Sequence, residues 1–226
     1  MSGIAAMISP SEKRYYIAGL WREEFPLNLL WRTKADYYIK KTLVSRRHQS
    51  YYAPSWSWAS VTGPFEYLAL PGRDYSFDLD PGLDIIEVAC SPIGSNPYGP
   101  AQFSYLKVSG LLAPIDYQLQ FSEPKNILEE DLEERKPIRR GFDCDVFDNT
   151  ELTEFVEGEP LWTLLVASGR RIRRGFSRLE GYRCLILRRS PQDPSCFERV
   201  GCAWSLKEYW VLELSKKAEI RSVTLL

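Results

Sequence analysis

The sequence predicts an α+β fold that is mostly β, with short N-terminal helices packed on an antiparallel β-sandwich or barrel-like body. Three observations carry that expectation. Up to Trp31 the apolar residues fall at helical spacing, and beyond Pro64 glycine and proline punctuate short runs rich in Val, Ile, Leu and Tyr. Between the two textures lies Ala53-Pro54-Ser55-Trp56-Ser57-Trp58-Ala59-Ser60, which sets two indoles among small residues directly after a proline.

In the lead-in, Tyr16, Ala18, Gly19, Leu20, Leu27, Leu30 and Trp31 recur every three or four residues, with Arg14, Arg22, Glu23 and Glu24 available for the opposite face. Ser9 followed by Pro10 reads as a fresh helix start. The expectation is a short helix before Ser9, a longer one from Pro10 to Glu24, and a brief one from Pro26 to Trp31. Leu20, Trp21, Leu30 and Trp31 are candidates for a helical interface, because these helices taken alone expose an apolar stripe unless another element covers it. Residues 34–52 form a polar, basic connection containing Lys40, Lys41, Arg46, Arg47 and His48, expected in solvent.

Pro54, Ser55, Trp56, Ser57, Trp58, Ala59 and Ser60 are expected to be a structural anchor. In an extended segment Trp56 and Trp58 share a face while Ser55, Ser57 and Ala59 take the other. Two buried indoles remove about 150–250 Å² each from water, worth about 8–12 kcal/mol gross as an upper bound. The alternative for the pair is a platform on which a ligand stacks.

After Gly63-Pro64, strands are expected at Phe65–Ala69, Asp84–Cys90, Ser104–Leu112, Ile115–Phe121, Gly141–Val146, Leu161–Ala167, Tyr182–Arg188, Phe197–Trp204 and Ile220–Leu225. Such spacing favours an antiparallel sandwich or barrel over a parallel sheet with crossover helices. The acidic run Glu129–Lys136 and the basic run Arg170–Arg174 are expected as loops or short surface helices. The chain therefore divides into a helical lead-in with the double-Trp anchor (residues 1–64) and a β-rich domain (residues 65–226), packed as one unit.

With 226 residues, 44% hydrophobic and 26% charged, the chain has the make-up of an ordinary globular protein. A net charge of -1 gives no support to a nucleic-acid partner. No apolar run is long enough to span a bilayer, and Met1–Met7 lacks the pattern of a secretory signal, so a cytoplasmic protein is expected. Cys90, Cys144, Cys184, Cys196 and Cys202 make an odd set without a Cys-x-x-Cys pair, so a disulfide framework is not expected.

The sequence offers little for catalysis. His48 is the single histidine, and a device joining it to Ser55, Ser57 or Ser60 and Asp36 lacks the Gly-x-Ser-x-Gly turn that would hold the serine. Cys144 is flanked by Asp143 and Asp145, which disfavours a thiolate; those aspartates share a face suited to a hard cation or, more simply, to water. Neither zinc-ligand spacing nor a glycine-rich phosphate loop is present. No cofactor, no metal and no catalytic residue are expected.

Ser2-Gly3-Ile4-Ala5, Tyr16-Ile17-Ala18-Gly19-Leu20-Trp21-Arg22, Leu29-Leu30-Trp31 and Ala53–Ser60 with Gly63-Pro64 together resemble, in order and spacing, the region following the HET domain in filamentous-fungal heterokaryon-incompatibility proteins. Asn96-Pro97-Tyr98-Gly99, Leu106–Leu111, Gly181–Leu187, Phe197–Gly201 and Ile220–Leu226 look like the β-rich remainder of such proteins, more loosely matched. The resemblance implies a role in fungal non-self recognition and programmed cell death. The HET domain, which looks like a relative of the nucleotide-hydrolysing TIR fold, would lie N-terminal to these residues, and none of its motifs maps onto them.

Two readings of function follow. One is a non-catalytic C-terminal interaction or regulatory module of a HET-type protein, lacking the HET effector domain, with a protein partner. The other is a lectin-like β module that uses exposed Trp and Tyr. A free-standing enzyme ranks third.

Overall fold

The computed structural model describes residues 15–33, 45–67, 75–115, 141–144, 159–173, 179–206 and 216–226. These are mostly strand, and no α-helix occurs among them. The expected helices over Pro10–Glu24 and Pro26–Trp31 are therefore overturned where the chain is described; the helix before Ser9 lies outside the described residues. Tyr16–Ile17 (β1) and Leu20–Trp21 (β2) instead form an antiparallel hairpin. Its turn is Ala18-Gly19, with φ of 47° and 99°. Two positive φ values in succession suit a tight hairpin turn and forbid a helix. The apolar spacing that mimicked a helix arises because Tyr16 and Trp21 sit opposite each other, their rings edge to face at 5.4 Å. Arg22–Glu24 and Leu27–Leu29 are single 3₁₀ turns, followed by Trp31–Thr33 (β3).

Arg46–Arg47 (β4) pairs with Val61–Thr62 (β5), and Phe65–Tyr67 (β6) pairs with β3. The basic connection is thus partly structural at its described end, where Arg47 is half-buried.

The body is an eight-stranded sheet. Its strands are Tyr75–Pro81 (β7), Leu83–Pro92 (β8), Ala101–Ile115 (β9), Gly141–Cys144 (β10), Leu161–Arg173 (β11), Leu179–Arg189 (β12), Phe197–Leu206 (β13) and Glu219–Leu225 (β14). β11, β12 and β13 form an antiparallel meander, and β13 meets β14 in parallel at Phe197 and Leu225. β14 pairs with β9, and Leu112–Ile115 of β9 pair back onto Leu161–Leu164 of β11. Those pairings close a ring through β11, β12, β13, β14 and β9. β7 and β8 run along its rim, β7 on the later part of β11 and β8 on the earlier part of β9, and β10 attaches to β13.

The strands expected at Asp84–Cys90, Ser104–Leu112, Leu161–Ala167, Tyr182–Arg188, Phe197–Trp204 and Ile220–Leu225 are present with longer bounds, those at Phe65 and Gly141 are seen over Phe65–Tyr67 and Gly141–Cys144, and two readings need correcting. Tyr75–Pro81 was not expected as a strand. Arg170–Arg173 is not a loop but the end of β11, where the register sets Arg170 opposite Asp78 on one side and Glu180 on the other. Strand residues beyond Ile115 and Cys144, and the acidic run Glu129–Lys136, lie outside the described residues.

One apolar cluster joins both parts of the chain: Leu20, Leu29, Leu30 and Trp56 pack with Leu106, Val108, Leu164, Leu185, Leu187, Phe197 and Leu225. At Gly110 an added Cβ would stand 2.6 Å from Leu83 Cδ1, so a side chain there would push the end of Leu83 aside in the core.

Candidate functional site: the double-Trp joint and the tyrosine cluster

Around Trp56 and Trp58 the backbone is not extended. Ser57 caps a 3₁₀ turn over Trp58–Ser60, its hydroxyl accepting the Ala59 amide at 3.0 Å. That bend sends the two indoles along different courses. Trp56 is fully buried, with the Phe25 ring edge on at 6.1 Å, and its Nε1 finds no acceptor among the described residues. Trp58 is half-buried, stacks on Phe65 at 4.4 Å and donates from Nε1 to the Gly19 carbonyl at 2.7 Å. Gly19 has no room for a side chain, since a Cβ would meet Ser57 Oγ at 3.0 Å.

The serines expected on a free face are engaged internally. Ser57 donates to the Ala18 carbonyl, Ser60 to the Ser57 carbonyl at 2.7 Å, and Ser55 to the Leu226 carbonyl, which also accepts the Ser55 amide at 2.9 Å. None of the three hydroxyls points to His48, whose ring stacks on Tyr52 at 4.7 Å. Ser57→Ala should therefore lower stability by about 1–3 kcal/mol, because it removes a cap and leaves a buried carbonyl without its donor. Urea denaturation, with the midpoint falling at an unchanged slope, would register it.

Arg199 of β13 completes the joint. It is fully buried, donates from Nη1 to the Leu29 carbonyl at 2.5 Å and from Nη2 to the Trp31 carbonyl, and lies 3.7 Å from the centre of the Trp31 ring. Its own amide donates to Ser55 Oγ at 2.9 Å, and its carbonyl accepts from Arg47 Nη2 at 2.6 Å. Arg47 Nη1 reaches Ser60 Oγ. Trp31, also fully buried, donates from Nε1 to the Trp56 carbonyl at 2.9 Å. Carbonyl oxygens and an indole face thus solvate a guanidinium inside the protein. Nothing in the sequence around Arg199 marked it for this role except alternation, which puts it on the same face as buried Phe197.

Of the four helical interface candidates, Leu20, Leu30 and Trp31 are fully buried and Trp21 is half-buried against Tyr16. Leu20, Leu29 and Leu30 of the lead-in are covered by the rest of the chain. Among the described residues, large exposed apolar side chains include Ile86 and Phe103 of the β8–β9 hairpin, 51% and 54% exposed, together with Tyr15 in the lead-in and Ile220 on β14.

A second grouping was not foreseen. Tyr16, Trp21, His48, Tyr51, Tyr52 and Tyr98 converge on the inner side of that hairpin. Tyr16 lies 5.5 Å from Tyr98 by ring centres, and its hydroxyl is pushed above its usual pKa by burial and then by Tyr52 and Cys90. Tyr51 reaches Ser104 of β9 and is likewise raised, first by burial. The Tyr52 carbonyl accepts from the Ala101 amide at 2.9 Å, which fixes the segment to the start of β9.

Tyr67 is the most perturbed phenol, pushed up to about 12 by burial and then by Glu24. A raised folded-state pKa means that folding holds the proton longer, so this contribution is intact below pH 10 and is lost as pH rises from about 10 to 12. For a half-buried hydroxyl about 1–2 kcal/mol should disappear over that window, and Tyr67→Phe should flatten the decline in alkaline denaturation.

Cys90, Cys184, Cys196 and Cys202 form no disulfide with one another; burial holds the Cys184 thiol far above its usual range. No group of three His, Cys, Asp or Glu suited to a metal occurs among the described residues, nor does a helix long and apolar enough to cross a membrane. The side chains of Asp143 and Asp145 lie outside the described residues. No protein-family model, curated protein or solved structure matches the chain.

Proposed function

We propose that this chain is a non-catalytic interaction or regulatory module of the HET type, the β-rich C-terminal part that restrains or presents an effector domain in fungal non-self recognition. The observation that supports it most is the state of the double-Trp segment. The residues that carry the resemblance are a buried joint whose hydroxyls are engaged with main-chain carbonyls, as a scaffold requires and a nucleophile does not. In this reading the partner surface is the β8–β9 hairpin with its exposed Ile86 and Phe103. A cytoplasmic location belongs to the same proposal.

The test is to co-express the chain with a HET domain encoded in the same genome and measure association by light scattering, alongside NAD cleavage by the chain alone. A complex weakened by Phe103→Ser, with no turnover, is the expected result. A monodisperse monomer that ignores the HET domain, or turnover by this chain alone, would refute the proposal.

The lectin-like reading is supported by a separate observation: Tyr15, Tyr51 and Tyr52 are 67%, 48% and 42% exposed. The tryptophans at the joint give it none.

A further inference from the structure

We infer that the tyrosine cluster over the inner side of the β8–β9 hairpin is a binding site for an uncharged oligosaccharide; the inference rests on the second reading above and gives it a place and a ligand class. Four stretches distant in sequence supply the site: the β1–β2 hairpin, the His48–Tyr52 segment, the β8–β9 turn with Tyr98, and Cys90 with Ser104 on the strands beneath. Exposed Tyr51 and Tyr52 stand beside half-buried Tyr16, Trp21 and Tyr98, so rings of graded depth are presented together. His48 braces Tyr52 with its ring planes only 29° apart. The Tyr98 turn is itself fixed, Asn96 Oδ1 accepting the Tyr98 amide at 3.1 Å and the Asn96 carbonyl accepting the Gly99 amide at 3.1 Å.

Two features of the cluster select the ligand. Pyranose rings present C–H faces that stack on aromatic side chains, and hydroxyls that need donors and acceptors at the rim. The hydroxyls of Tyr16, Tyr52 and Tyr98 make no hydrogen bond to another described residue, so each can serve a ligand as donor and acceptor. The second feature is charge. The residues that make up the cluster, Tyr16, Trp21, His48, Tyr51, Tyr52 and Tyr98 with Cys90 and Ser104 beneath, include neither a carboxylate nor a guanidinium. A cluster with no guanidinium or carboxylate of its own gives no fixed counter-charge to a sialylated, sulfated or uronic-acid sugar, and leaves an uncharged one without a desolvated carboxylate or guanidinium to face. Tyrosine also adds contact area at a small cost in side-chain entropy, which suits a site held by loops.

The full chain should be screened against neutral oligosaccharides built on glucose, mannose and N-acetylglucosamine, with acidic glycans and a proline-rich peptide alongside. Saturation-transfer NMR detects weak binding and calorimetry measures it. The expected result is binding of at least one neutral oligosaccharide, weakened about fivefold to tenfold by Tyr52→Ala and unchanged by Tyr105→Ala on the other face of β9. Tyr51→Ala gives a second variant should Tyr52→Ala fail to fold, as judged by near-UV circular dichroism. Binding of acidic glycans alone, or of the peptide alone, through these tyrosines would overturn the ligand class assigned here while leaving a binding module in place. Absence of all binding would overturn the site and the lectin-like reading together.

Discussion

Arg199→Ala should cost about 4–6 kcal/mol, enough to unfold most of the population if the native stability is of the usual size. The change removes the donors to the Leu29 and Trp31 carbonyls, each worth about 1–3 kcal/mol when a buried acceptor is left unmet. It also removes a cation from the face of Trp31, worth about 1–2 kcal/mol in a desolvated setting, and leaves a void between β3 and β13. Arg199→Met fills much of that void but restores no donor, so it should recover only the packing share. Arg199→Lys keeps the charge and loses the planar fork that spans two carbonyls, and it should fall between Arg199→Met and the unsubstituted protein. Chemical denaturation of the three variants gives the ranking Lys, Met, Ala from most to least stable. A stable Ala variant would mean that the guanidinium is not what holds the lead-in to the barrel.

Trp56→Ala should cost about 3–5 kcal/mol, the range for emptying a large buried ring site. The sharper result comes from phenylalanine. Trp56 Nε1 has no acceptor among the described residues, whereas Trp31 Nε1 donates to the Trp56 carbonyl at 2.9 Å. Trp56→Phe removes an unmet donor along with some volume, so its cost should stay below about 2 kcal/mol. Trp31→Phe loses a made bond, orphans the carbonyl and weakens the ring beneath Arg199, and should cost about 1–2 kcal/mol more than Trp56→Phe. The comparison is read from the urea midpoints of the two variants at equal slope.

Much of the β body was legible because strand alternation and Gly/Pro punctuation are local signals. β11, β12, β13 and β14 lie where Val-, Ile- and Leu-rich runs placed them, with extensions of a few residues. The lead-in was misread for a local reason of a different kind. Helical spacing from Tyr16 to Trp31 was counted across Ala18-Gly19, where two positive φ angles turn the chain back on itself. An Ala-Gly pair flanked by aromatic residues was the available hairpin signal, and an apolar period outweighed it. Trp56 and Trp58 were legible as apolar ballast but not as residues of a bend, since Ser57 caps a 3₁₀ turn that alternation alone does not announce. The partners of the joint were beyond a local reading: Arg199 looks like an ordinary strand arginine until the fold sets it under Trp31. The tyrosine cluster was hidden for the same reason, its rings coming from positions as far apart as Tyr16, Tyr52 and Tyr98.

The bonds that close the joint span 152 residues from Arg47 to Arg199, 170 from Leu29 to Arg199 and 171 from Ser55 to Leu226. Emerging vectorially from a ribosome, Leu29, Arg47 and Ser55 thus cannot make these bonds until Arg199 and Leu226 have been synthesised. For most of translation Trp31 and Trp56 wait without their final neighbours, attractive to chaperones and prone to aggregate. A frameshift or nonsense codon between Trp56 and β14 would leave them so, which couples the double-Trp joint to faithful synthesis of β14.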